Sequence, residues 1–87
     1  MGMPCEFNAI LKLTAAQGYP GQLSLGQSFQ ARKSGYRLFV MDVPLQLVDS
    51  HWQAWADVTI RELRWCGGET LVRAEVVRLY DRPFCVK

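Results

Sequence analysis

Hydrophobic and polar residues alternate along most of this 87-residue chain. In the segment CEFNAILKL the odd positions from Cys5 to Leu13 are apolar or small, and most even positions are polar, as at Glu6 and Asn8. Side chains two residues apart lie on one face of a β-strand, so this pattern predicts a half-buried strand over about residues 5–14. No segment has a sustained 3.6-residue period, so the chain is expected to be built from strands.

Glycine and proline mark the turns before the second and third strands. The sequence GYPG at 18–21 predicts a type II turn centred on Pro20 and Gly21. A second strand is predicted to follow it and to end near Lys33, before a turn at Ser34 and Gly35. Beyond that turn, Tyr36, Leu38 and Val40 share one parity and are expected to point into the core.

Pro44 and Ser50 mark the middle of the chain. Pro44 cannot donate a backbone hydrogen bond, so it predicts a bend or a sheet edge. Ser50 is a candidate cap for a single helical turn because Gln53 follows three residues later.

The region from Ala54 to Tyr80 predicts a long β-hairpin. Two alternating runs meet at Gly67-Gly68, and a two-residue turn there fixes the register. That register pairs Cys66 with Glu69, Trp65 with Thr70, Leu63 with Val72, Val58 with Val77 and Ala56 with Leu79. It also opposes the charges of Glu62 and Arg73 and those of Asp57 and Arg78.

The apolar face of this hairpin changes partway along. In the predicted register both strands switch parity at the same level, around Arg61 and Ala74, which is typical of a strongly coiled ribbon whose ends line two sides of a core. Trp65 is expected to cover the core near the tip. The pattern therefore predicts one all-β domain over residues 1–87, a small and mostly antiparallel barrel or rolled sheet of about six strands. OB, SH3-like and PUA-like topologies stay open.

Charge and cysteine content indicate which cellular compartment and which kinds of partner to expect. Ten Lys and Arg against eight Asp and Glu give a net charge of +2, so a site for a polyanion has to be local. The N-terminus lacks the basic and apolar stretches of a secretory signal, and no apolar run reaches the length of about 20 residues that a membrane helix needs. Together with the odd, widely spaced set Cys5, Cys66 and Cys85, these features predict a cytoplasmic protein with reduced thiols and no membrane partner.

Residues for catalysis or metal binding are sparse. His51 is the only histidine, and no cysteines stand at the paired spacing of a structural zinc site, so no metal and no cofactor are expected. A site assembled by tertiary contacts from Cys5, His51, Cys66 and Cys85 is the alternative. Nothing places a base beside a nucleophile, pairs two carboxylates or builds a phosphate loop, so the chain is not expected to be an enzyme.

Two surfaces are candidates for binding. Arg32, Lys33 and Arg37 flank the Ser34-Gly35 turn near aromatic residues, and this mixture suits RNA or another anionic ligand, although such a turn is more commonly just a solvated one. Trp52 and Trp55 could instead anchor a protein partner or a second copy of the chain at a sheet edge, or close the end of a barrel. The function expected is a non-catalytic binding or accessory module, with protein interaction or self-association as the alternative.

Several short motifs carry a resemblance to a known family. They are MGMP at 1–4, EFN at 6–8, GYRL at 35–38, Asp42, Pro44 and LRW at 63–65. Together they resemble a family of small bacterial proteins that is a domain of unknown function. The resemblance covers most of the chain and implies a bacterial, cytoplasmic source, but it transfers no catalytic residues. The AAQGYPGQ segment, the three cysteines and the pair Trp52 and Trp55 depart from the family pattern.

Overall fold

The computed structural model describes the backbone of residues 6–86 and the side chains of residues 8–86. It contains seven strands and one short 3-10 helix at Ala15–Gln17. The strands are β1 Glu6–Phe7, β2 Ile10–Lys12, β3 Ser28–Ser34, β4 Arg37–Leu38, β5 Leu45–Val48, β6 Gln53–Cys66 and β7 Glu69–Cys85. No helix within residues 6–86 is long and apolar enough to cross a membrane. The all-β prediction is confirmed.

Five of the strands form one sheet in the order β2-β5-β6-β7-β3. Only the β2–β5 pair is parallel, and the other three pairs are antiparallel. Strands β1 and β4 form a separate parallel pair. Since the edge strands β2 and β3 do not pair with each other, the sheet is open, which selects the rolled sheet over the closed barrel.

The two edges of the open sheet are nevertheless bridged by side-chain and helix contacts. The ammonium of Lys33 on β3 donates a hydrogen bond to the carbonyl oxygen of Lys12 on β2. The 3-10 helix that follows β2 ends at Gly18, which lies directly against the backbone of Gln30 and Ala31 on β3. The sheet is therefore rolled far enough for its edges to be joined without a ladder.

The core lies on the concave side of this sheet. Alternate residues of the strands supply it, as the alternation in the sequence predicts. The fully or nearly fully buried apolar residues of the cluster are Leu11, Leu13, Ala31, Phe39, Leu45, Leu47, Ala56, Val58, Ile60, Val72, Ala74 and Val76.

The hairpin of β6 and β7 turns at Gly67 and Gly68, whose φ angles are +61° and +80°. Two residues in succession with positive φ define the turn that matches the twist of the flanking strands. The predicted pairs Cys66–Glu69, Trp65–Thr70, Leu63–Val72, Glu62–Arg73, Asp57–Arg78 and Ala56–Leu79 are confirmed. The predicted pair of Val58 with Val77 is wrong, because Val58 lies opposite Val76.

Two β-bulges explain that error and also the change of face. One places the extra residue Arg61 on β6 between Ile60 and Glu62, and the other places Val77 as an extra residue on β7. Because each strand has one extra residue, the two shifts compensate, and the pairs beyond both bulges again follow the register set by the turn. The simultaneous switch predicted around Arg61 and Ala74 is therefore wrong: β6 switches at Arg61, whereas β7 keeps one buried face through Ala74 to Val76.

Several local predictions also need correction. The strand predicted over 5–14 is broken between β1 and β2, and Cys5 lies outside the described residues. Gly21 lacks the positive φ of a type II turn, and Gly18, with a φ of +110°, makes the turn instead. Ser50 caps no helix, because the turn is organised by the carboxylate of Asp49, which accepts hydrogen bonds from the backbone N–H groups of His51 and Gln53.

The parity predicted after the Ser34-Gly35 turn is reversed. Phe39 is buried, whereas Leu38 and Val40 are exposed, because β4 is only two residues long and pairs with β1 outside the main sheet. Trp65 does not cover the core as expected. It is 44% exposed, its indole N–H donates to the carbonyl oxygen of Arg37 and its ring contacts Tyr36 edge-on.

Candidate anion-binding groove

The three predicted basic residues Arg32, Lys33 and Arg37 do not lie on one surface. Arg32 and Lys33 are neighbours on β3 and project to opposite faces of the sheet. The Lys33 ammonium binds the Lys12 carbonyl at the edge of the core, and the Arg37 guanidinium donates to the carbonyl oxygen of Ser34 at 3.0 Å. Of the three, only Arg32 faces the convex side of the sheet.

The convex face of β3, β7 and β6 brings other arginines beside Arg32. Strand pairing puts Arg32 opposite Leu71, and Leu71 opposite Arg64. In the next row, Gln30 lies opposite Arg73. Because residues opposite each other in a ladder share a face, the guanidinium groups of three strands surround the side chain of Leu71.

Two glutamates neutralise part of this charge. Glu62 lies 3.3 Å from the guanidinium of Arg73 and 3.6 Å from that of Arg64. Arg32 lies 4.0 Å from Glu69. Charge-assisted hydrogen bonds usually measure about 2.7–2.9 Å, so these are loose contacts, and a guanidinium carries five N–H donors. The face keeps an excess of positive charge and unused donors.

A groove of about 380 Å³ runs over this face. It is lined by Leu71, the three arginines and Glu62 of the sheet, and by the end of the 3-10 helix with Gly18. The end of that helix is fixed in place because Gly18 lies against the backbone of β3. The arrangement can bind anionic groups through guanidinium N–H donors beside an apolar side chain.

Arg64 and Arg73 did not emerge as ligand-binding candidates from the sequence. Alternation along each strand places Arg64 and Arg73 on the polar face, but their proximity to Arg32 depends on the pairing of β3 with β7. Those strands are separated by β4, β5 and β6 in the chain, and no local pattern specifies which distant strand pairs with β3.

The predicted surface of Trp52 and Trp55 lies beyond the far end of β5. Asp49 organises it: one carboxylate oxygen accepts from the indole N–H of Trp55 at 2.8 Å, while the other accepts from backbone N–H groups. Burial by itself raises the pKa of the Asp49 carboxyl, but the hydrogen bonds from Trp55, Gln53 and His51 lower it below its ordinary value. Trp55 is 39% exposed and held in one orientation.

Trp52 is more deeply embedded than Trp55. Its φ of +64° is unusual for a bulky residue, and the ammonium of Lys12 lies 4.8 Å from the centre of its ring. Trp52 thus lies in the turn that precedes β6 and Trp55 lies on β6 itself, with Trp55 the more exposed of the two.

Two of the cysteines and the acidic residues can be assessed for a metal centre. The side chains of Cys66 and Cys85 are exposed. Within the part of the chain that the structure describes, no group of three or more His, Cys, Asp or Glu side chains is placed to hold a metal ion.

Comparison with known proteins places the chain in a family. Residues 1–82 match the family model described as a domain of unknown function, DUF2584, which confirms the resemblance to such a family. The crystal structure of protein ytmB from Bacillus subtilis, a structural-genomics target, is 25% identical, with a TM-score of 0.75 over 92% of this chain and 95% of that one. No curated protein matches the chain.

Proposed function

Since this chain belongs to the DUF2584 family, a domain of unknown function, we propose a function from the groove itself: the domain is a non-catalytic module that binds an extended anionic ligand such as RNA. The observation that carries the proposal is the convergence of Arg32, Arg64 and Arg73 around Leu71. Guanidinium groups are the side chains best suited to phosphate and carboxylate oxygens.

The spacing of the arginines favours a ligand with several anionic groups over a single small ion. Arg32 and Arg64 stand on strands two places apart, so their Cα atoms are separated by about 10 Å. A chain of phosphates can contact both ends of that span. Surface ion pairs contribute only about 0–1 kcal/mol, so Glu62 and Glu69 present a small barrier to an incoming anion.

The modest net charge of +2 supports local contact over diffuse attraction. Binding should therefore respond to individual arginines. For a single-stranded nucleic acid, each lost phosphate contact lowers the slope of log affinity against log salt by about 0.7.

Two triple variants test the proposal at equal loss of charge. The groove variant replaces Arg32, Arg64 and Arg73 by alanine, and the turn variant replaces Arg32, Lys33 and Arg37. Salt titrations of binding to a labelled single-stranded RNA should show a slope lower by about two for the groove variant and by about 0.7 for the turn variant. Circular dichroism checks that both fold. An equal decrease of the slope in the two variants, or no RNA binding by the wild type at low salt, would refute the proposal that the groove binds the ligand.

A second candidate function is binding of a protein partner, or of a second copy, through Trp52 and Trp55. The observation in its favour is that Trp55 is exposed yet held by Asp49, since rigid tryptophans commonly anchor interfaces. Sedimentation equilibrium over a range of concentrations tests the self-association form. The wild type should associate and Trp55→Ala should not, and a wild type that stays monomeric at all concentrations would contradict it.

A further inference from the structure

The far end of β7 carries a cluster of aromatic and basic side chains. The rings of Tyr80 and Phe84 are stacked, with centroids 5.2 Å apart and planes inclined by 29°. The guanidinium of Arg78 lies 5.8 Å from the centre of the Tyr80 ring. Phe84 is 45% exposed, so aromatic surface remains accessible.

A hydrogen bond holds the Tyr80 ring of this cluster in place. The hydroxyl of Tyr80 donates to the carboxylate of Asp57 on β6. Burial, and after it the contact with Asp57, raises the pKa of Tyr80 to about 12. Tyr80 is therefore a neutral and fixed support on which Phe84 stacks.

Arg78 and Tyr80 lie on the same strand as the groove and face the same side of it, and Phe84 joins them by stacking on the Tyr80 ring. Arg73 pairs with Glu62 on the convex face, and Arg78 pairs with Asp57, which projects between the buried residues Ala56 and Val58 to that same face. Arg73 and Tyr80 are seven residues apart, which corresponds to roughly 23 Å of strand, so a strand of several nucleotides can reach from the groove to the Tyr80 ring and to Phe84 stacked on it.

A shallow, open depression lies beside the rings and is lined by Arg78, Leu79, Tyr80, Asp81 and Phe84. An exposed ring beside a guanidinium is the combination that single-stranded nucleic acids use, because bases stack on the ring and phosphates pair with the cation. Asp81 also lines this depression, and its negative charge opposes phosphate there.

We propose that Phe84, supported by Tyr80 and Arg78, is a base-stacking site, and that the ligand of the convex face is single-stranded nucleic acid, whose phosphates lie along the arginine groove. This inference rests on the proposed function, because the groove supplies the phosphate contacts. It goes beyond that function by requiring bases as well as charge.

The test compares a single-stranded oligonucleotide with an abasic strand of the same length and charge. Wild type should bind the oligonucleotide more tightly than the abasic strand. Phe84→Leu keeps apolar volume but removes the ring, and it should weaken oligonucleotide binding by about 5- to 150-fold while leaving abasic binding unchanged. Phe84→Trp keeps a ring and should restore binding. Because Phe84 is exposed, these variants are expected to fold, which thermal melting checks.

The outcomes separate the two proposals. Equal binding of both strands by wild type, with no effect of Phe84→Leu, overturns the stacking site and leaves the groove intact. Binding of neither strand overturns both. Equal loss for both strands in Phe84→Leu also overturns the stacking site, because the residue would then act through charge or structure.

Discussion

Replacement of Gly18 by alanine tests how the edges of the rolled sheet are held together. Gly18 has a φ of +110°, and a Cβ atom there would lie 2.5 Å from the carbonyl oxygen of Gln30 and 3.0 Å from the Cα of Ala31. Both atoms belong to the β3 backbone and cannot rotate away. Strain at a left-handed residue costs about 1–2 kcal/mol, and forced packing adds about 1–3 kcal/mol. We expect Gly18→Ala to lower the free energy of unfolding by about 2–5 kcal/mol.

Gly26→Ala is the matched control. Gly26 also has a positive φ, +82°, but no atom lies within 4 Å of the position of its Cβ. It should therefore lose only the backbone term, about 1–2 kcal/mol. In urea denaturation followed by circular dichroism, with an m-value of about 1 kcal/mol per molar, the midpoints of the two variants should differ by about 1–3 M. Equal midpoints would show that the 3-10 helix does not pack on β3, and the bridging of the sheet edges would be wrong.

Three other variants probe contacts elsewhere in the fold. Asp49→Asn should destabilise the protein by about 0.5–1.5 kcal/mol at neutral pH because the exposed indole N–H of Trp55 loses a charged acceptor. Since folding lowers the pKa of Asp49, its stabilisation is present above the unfolded value of about 3.9 and is lost as the pH falls through the folded value. Urea midpoints of wild type and variant should thus converge in acid, and a constant gap would contradict this. Thr59→Val should raise the melting temperature by removing a buried hydroxyl that has no hydrogen-bond partner among the described residues, and a fall would show that the hydroxyl is satisfied. A double-mutant cycle on Glu62 and Arg73 should give a coupling of about 0.2–1 kcal/mol, and zero coupling would contradict the ion pair.

The hairpin could be predicted because its determinants are local. Gly67 and Gly68 specify the turn, and the turn specifies the nearest pairs. The sequence did not distinguish two bulges, at Arg61 and Val77, from a coiled ribbon without bulges. Each bulge adds one residue to one strand, so the two shifts cancel and the pairs farther from the turn are the same in both cases. Arg61, the extra residue of the β6 bulge, is held by two ion pairs. Its guanidinium lies 2.7 Å from Asp42 and 3.2 Å from Glu75, and these contacts raise the pKa of Arg61.

The candidate site was predicted only in part. The sequence proposes Arg32 from its place beside a turn, and it groups Lys33 and Arg37 with Arg32 because they are close in the sequence. In a strand, the side chains of adjacent residues point to opposite faces, so residues next to each other in the sequence do not share one surface. Arg64 and Arg73 join Arg32 through a pairing between distant strands, which a single sequence does not specify. The stacking of Tyr80 on Phe84 could not be predicted either. It depends on an irregular stretch of β7 between Leu79 and Phe84, where the regular pairing with β6 is interrupted.

The most direct test of the proposed anion-binding groove is a nuclear magnetic resonance titration of the labelled wild-type protein with a single-stranded oligonucleotide. Amide shifts report which face of the sheet the ligand contacts. The largest changes should map to Arg32, Leu71, Arg64 and Arg73 and decrease as salt is added, as expected for phosphate contacts. Changes centred on Trp52 and Trp55, or the absence of any change at low salt, would contradict a ligand site on the convex face of β3, β7 and β6.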